Sequence, residues 1–210
     1  MYDGEIFTIN ETPSNHIFAK SAAGLLNLSV NVENNLTQAW LNTSSSTKIL
    51  IHFIDCIPKH LQQVDYELFS SGTHIAICPT LTVDDELLLI EHGFNAALPA
   101  SESSYILIKK MTNVIDGNLC FSNAAFSKFI LKTNRTPHKK EKLSLISSTT
   151  KKEKEVISLV CRGMSNEQVA NQLNVSINTI KMHLQNIYKK SQIKNRGQLL
   201  LIYGQGFTTH

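Results

Sequence analysis

Apolar and polar positions alternate along the first part of the chain in two different rhythms. "EIFTI" (Glu5–Ile9) reads as a strand, "SNHIFAKSAAGLL" (Ser14–Leu26) as a helix, and "LNLSVNV" (Leu26–Val32) as a second strand. A shorter helical stretch, "ENNLTQAWL", leads to "KILIHFI" (Lys48–Ile54). That continuous apolar run ends at Asp55 and fits a central strand buried on both faces. "THIAICP" is another such strand, and "DDELLLIEHG" (Asp84–Gly93) is a helix stopped by a glycine. "NAALPA" then reads as a short edge strand and "SSYILIKKMTNVIDG" (Ser103–Gly117) as a helix. The alternation predicts an α/β, doubly wound domain with five parallel strands. "GNLCFSNAAFSKFILK" (Gly117–Lys132) adds a sixth, amphipathic helix, with Phe126, Phe129 and Ile130 on one side and Ala125 adjoining.

The pattern changes after "KTNRTPHKKEK" (Lys132–Lys142), which is polar and interrupted by Pro137. The boundaries predicted are an α/β domain over 1–131, a linker over 132–147 and a small all-α domain over 148–210. In the last, Thr150 and Glu153 have the spacing of a capping box, as do Ser165 and Gln168. Gly163 stops one helix, Asn174-Val175 turns the chain, Ser176 caps a third helix and Asn195 a fourth. Two short helices joined by a tight turn, the second basic, are the pattern of a helix-turn-helix.

Charge separates the same two parts. Residues 1–131 hold 6 Lys+Arg and 13 Asp+Glu, net −7, whereas residues 132–210 hold 14 and 4, net +10. So basic a domain suits a polyanionic partner.

The third helix, "SINTIKMHLQNIYKK" (Ser176–Lys190), carries two faces. Ile180, Leu184 and Ile187 recur at the spacing of a buried stripe, with Tyr188 beside it. Asn178, Lys181, Met182, Gln185 and Lys189 fall on the other side. Ammonium, amide and one apolar group together suit the acceptors, donors and thymine methyl of a DNA major groove. "SNEQVANQLNVSINTIKMHLQNIYKKSQIKNRGQLL" strongly resembles the LuxR/FixJ-type domain of transcription regulators, over roughly 148–203. The resemblance implies base-facing positions at Lys181, Met182 and Gln185. It implies phosphate or flanking contacts at Asn178, Thr179, His183, Lys189, Lys190, Lys194 and Arg196, with His183 open to a packing role as well. It also implies double-stranded DNA as partner and a cytoplasmic location, with RNA polymerase a candidate further partner. A homodimer is expected because one short helix reads only a few base pairs and two half-sites multiply specificity.

The first 131 residues resemble a response-regulator receiver, whose chemistry needs an acidic pair, a phosphoacceptor Asp, a Ser/Thr and a Lys. Here the corresponding places hold Asn10 and Glu11, Asp55, Cys78-Pro79, and Pro99-Ala100. With one carboxylate in place of the pair and no Lys, the cation and the charge on the phosphoryl oxygens both lack their usual support. Asp55 is therefore a candidate phosphoacceptor in a degenerate site. The added helix and the degenerate receiver together resemble the CsgD/VpsT subgroup of biofilm regulators. Some of its members bind cyclic di-GMP through a motif that falls here on Cys120, Phe121, Ser122 and Asn123. Phe121 and Ser122 fit it, but Asn123 stands where an Arg would fork onto phosphate.

Other chemistries find little footing. The four cysteines, Cys56, Cys78, Cys120 and Cys161, form no CxxC pair and read as reduced thiols. There is no apolar run long enough for a membrane span, and the N-terminus does not read as a secretory signal. No nucleophile–base pair, metal-ligand spacing or glycine-rich phosphate loop stands out, so the expectation is no enzyme, no metal and no required cofactor.

Overall fold

The computed structural model describes residues 4–9, 12–31, 35–43, 47–134, 149–191, 193 and 195–203. Five strands, β1 (Gly4–Ile9), β2 (Ser29–Val30), β3 (Thr47–Phe53), β4 (Thr73–Cys78) and β5 (Ala96–Pro99), form one parallel sheet in the order β2-β1-β3-β4-β5. Side chains alternate across a strand, so each strand feeds two cores. Ile6, Ile49, Ile51, Ile75 and Ile77 meet helices α1 (Pro13–Leu26) and α5 (Ser104–Ile115) on one face. Phe7, Leu50, Ala76 and Cys78 meet α2 (Leu36–Asn42), α3 (Ile57–Gln63) and α4 (Val83–His92) on the other. This is the doubly wound, five-stranded architecture that the alternation predicts, and it is receiver-like, as the resemblance implies.

Two elements between β3 and β4 are absent from that expectation: α3 and a 3-10 turn at Tyr66–Ser70. Helix α3 is seven residues long with Pro58 in its first turn, where a missing N–H costs nothing. It buries Ile57, His60 and Leu61, too few positions to establish a period. Above it, Trp40 is fully buried, donates Nε1–H to the Leu68 carbonyl at 2.8 Å, and meets Phe7 edge-on.

The added helix, α6 (Asn123–Asn134), packs on α4 through Ala125 and Phe129 against Leu87 and Ile90. The expected apolar side is thus shifted: Phe126 is half-buried and Ile130 is exposed. Ala125 and Phe129 lie four residues apart and share one stripe, and Ile130 turns away from it. Of the expected linker, residues 132–134 form the last turn of α6 and the rest lies outside the described residues, as do 204–210.

The C-terminal domain consists of α7 (Lys151–Cys161), α8 (Asn166–Leu173), α9 (Ile177–Ser191) and α10 (Arg196–Tyr203) around one core. Both expected capping boxes form, Thr150 with Glu153 and Ser165 with Gln168. Gly163, at φ +84°, and Asn174, at φ 53°, take the left-handed conformations that let the chain leave α7 and α8.

Candidate nucleic-acid interface

Helix α9 starts where Ser176 Oγ accepts the Thr179 N–H at 3.0 Å. Ile180, Leu184 and Ile187 anchor it in the core beside Val160, Val169 and Leu199. Tyr188 packs against the same core, and its phenol is pushed up to about 12 by burial. On the other side Asn178, Met182, Gln185 and Lys189 are exposed, and Thr179 and His183 are half-buried. The two faces read from the sequence are therefore present.

The basic residues do not all stand free. Lys190 pairs with Glu153, its Nζ 2.8 Å from both carboxylate oxygens. Glu153 is 3% exposed and caps α7. Burial alone would raise its carboxyl, but hydrogen bonds from Lys190 and Thr150 outweigh this and hold it below the ordinary carboxylate range. Arg196 is also built in rather than turned out toward a phosphate. It is 7% exposed and its Nη2 donates to the Val160 and Met164 carbonyls at the end of α7. Lys194 lies outside the described residues.

Part of this outer face of α9 meets the α/β domain. Lys181 Nζ donates to Thr47 Oγ1 at 3.0 Å, at the start of β3. Burial lowers the Lys181 ammonium, and the Asp116 carboxylate partly offsets that. The Asn166 N–H donates to the Asp116 carbonyl at 3.3 Å. Asn195 caps α10 by accepting from the Gln198 N–H at 2.9 Å, while its Nδ2 donates to the Phe94 and Ile90 carbonyls at 3.1 and 3.4 Å. Among the three base-facing candidates, Met182 points to solvent, Lys181 is engaged with the sheet, and Gln185, though exposed, lines a cavity between the domains. Periodicity along one helix carries no sign of this docking, because the partner surface is more than a hundred residues away in the chain.

At the other end of the sheet, Asp55 is exposed just past β3. Its described neighbours at the strand ends include buried Cys78, whose thiol burial pushes up to about 12. Asn10 and Glu11 lie outside the described residues, and among the described ones no group of three or more His, Cys, Asp or Glu is arranged to hold a metal ion.

The Cys120–Asn123 segment is a structural joint. The Cys120 backbone extends the sheet edge beside β5, with Cys120 N–H on the Asn95 carbonyl and Ala97 N–H on the Cys120 carbonyl. Ser122 caps α6 by accepting from Ala125 N–H at 3.2 Å. Its own N–H donates to Glu86 Oε1 at 2.8 Å and its hydroxyl to Oε2. Glu86 is 8% exposed, so the Ser122 end of α6 is bound to a buried carboxylate of α4. Phe121 meets Phe126 edge-on, and Asn123 is exposed.

Fold and site together define a helix-turn-helix protein with a receiver-like α/β domain. Residues 147–203 match the family described as bacterial regulatory proteins, luxR family, and the C-terminal helical domain is of that type. The chain is similar to a probable csgAB operon transcriptional regulatory protein of Salmonella typhimurium, 30% identical over 104 residues, 50% of this chain and 47% of the relative. It thus spans just under half the length of that relative. It is also similar to the CsgBAC operon transcriptional regulatory protein of Escherichia coli, 26% identical over 167 residues, 78% of this chain and 76% of the relative. Among solved structures it is similar to RcsB from Salmonella enterica serovar Typhimurium bound to a promoter, with TM-score 0.42 and 16% identity over 97% of this chain and 98% of that one.

Proposed function

We propose that the chain is a cytoplasmic, sequence-specific DNA-binding transcription regulator that acts as a homodimer and without phosphotransfer to Asp55. The observation that carries this reading is α9, a capped helix anchored by Ile180, Leu184 and Ile187 that keeps amides, ammonium groups and Met182 on its opposite face. Lys181, Met182 and Gln185 read base edges, and Asn178, Thr179 and Lys189 hold phosphates. Lys181 reaches DNA only after it leaves Thr47, so docking of the two domains opposes DNA binding. The Salmonella and Escherichia relatives are named as regulators of the csgAB and CsgBAC operons, which supports transcription regulation. We further propose control of biofilm or surface-matrix genes, with RNA polymerase as a further partner. The Glu86 carboxylate beside Ser122 weighs against a cyclic di-GMP input through the Cys120–Asn123 segment.

The test is genome-wide occupancy to find a preferred site, followed by mobility shifts on it. Gln185→Ala and Lys181→Ala weaken specific binding by about 1–3 kcal/mol each, roughly five- to a hundredfold or more. Wild-type affinity in both variants would remove α9 as the reader.

A further inference from the structure

A cavity of about 90 Å³ lies between the two domains. Thr47 and Thr73 contribute to it from the sheet, and Asn166, Lys181, Gln185 and Arg196 from the helix-turn-helix domain. Among the described residues its lining holds Lys48 as well, and therefore three cations and no Asp or Glu. Glu5 and Asp116 act on Lys48 and Lys181 from outside the lining. Lys48 is committed, its Nζ on the Trp40 carbonyl at 2.7 Å. Two other lining side chains, each more than nine-tenths buried, carry a polar atom with no hydrogen-bond partner among the described residues: Arg196 Nη1 and Asn166 Oδ1.

Buried polar atoms without partners are costly. The groups gathered here complement one kind of guest. Ammonium and guanidinium groups ask for an oxyanion, while Asn166 Oδ1 asks for one hydrogen-bond donor. Since a water-sized centre needs about 10–15 Å³, the space takes roughly six such groups. We infer that the interdomain cavity binds a small oxyanion that also carries a hydrogen-bond donor, such as hydrogen phosphate or a small hydroxy acid. Such an anion touches both domains at once and binds only while they are docked. It therefore holds Lys181 and Gln185 away from DNA and lowers DNA affinity by linkage. The coupling rests on the reading of α9 proposed above, whereas binding of the anion does not.

The full-length protein is titrated by calorimetry, at constant ionic strength, with inorganic phosphate, L-lactate and sulfate, which has oxyanion oxygens and no donor at neutral pH. Phosphate or lactate binds one per chain, at least tenfold more tightly than sulfate. Asn166→Leu and Lys181→Met each weaken binding at least tenfold, and either variant that keeps the wild-type circular dichroism serves as the test. Phosphate also lowers wild-type affinity for the preferred DNA and leaves that of Asn166→Leu unchanged. Absence of heat with both phosphate and lactate, or equal binding by folded Asn166→Leu and Lys181→Met, overturns the site as an adventitious ion only. Binding that leaves DNA affinity unmoved overturns the coupling. A wild type that takes phosphate here yet binds no DNA overturns the function proposed for α9 while the anion site stands.

Discussion

His74 donates Nε2–H to the Ser71 carbonyl at 3.2 Å, because a carbonyl can only accept. Its Nδ1 must then accept, and it does so from His52 Nε2 at 3.1 Å. His52 Nδ1 accepts in turn from His60 Nε2 at 2.9 Å. Three rings thus share one direction of donation, walled by Phe69 and Phe94, and all are neutral. Burial lowers all three, and His74 reaches about 4. The unfolded chain takes up a proton at His74 near the ordinary value of about 6.5, and the folded one only near 4. Stability from His74 is therefore complete above about 6.5 and declines as pH falls toward 4. His74→Gln, which keeps a donor and an acceptor, flattens the fall in melting temperature between pH 6.5 and 4. Equal slopes in variant and wild type would contradict this assignment.

Among elements, the strand of His52 shows how far the chain could be read directly. "KILIHFI" announced a central strand, and a histidine inside such an apolar run signals a partner, but nothing nearby identifies His60 and His74. The five strands, the long helices and the four C-terminal helices were legible because period and caps are local. Helix α3 was not, since its seven residues bury only three positions. The placement of Arg196 and Lys190 was hidden for another reason: a basic residue after a recognition helix serves a phosphate or a helix end equally well in sequence. Asn195 combines both kinds of information. Its cap on α10 follows from local spacing, and its bonds to Ile90 and Phe94 come from the fold. Asn195→Asp keeps the capping oxygen, removes the Nδ2 donor and sets a carboxylate against two carbonyls. The domains then part: the radius of gyration in small-angle scattering rises while α10 stays helical. An unchanged radius would show that other contacts suffice to dock the domains.

For the molecule as a whole, the net −7 of residues 1–131 is joined in one chain to the net +10 of residues 132–210. In the function proposed, the acidic part weakens the attraction of DNA for the basic part, and more so at low salt, where screening is weakest. Within the basic part, the structure ranks individual lysines. Lys189 is exposed, whereas Lys190 is paired with Glu153 and gives up that bond to reach a phosphate. Each phosphate neutralised releases counterions and steepens the fall of log K with log salt by about 0.9. Lys189→Ala therefore reduces that slope by about 0.9 on preferred and random DNA alike. Lys190→Ala changes the slope less and instead lowers the urea midpoint of the helix-turn-helix domain, because Glu153 is left buried without its cation. Affinities of the two variants measured across a range of potassium salts decide the ranking. If the larger change in slope falls on Lys190, the Glu153 pair opens on DNA and Lys190 is a phosphate contact after all.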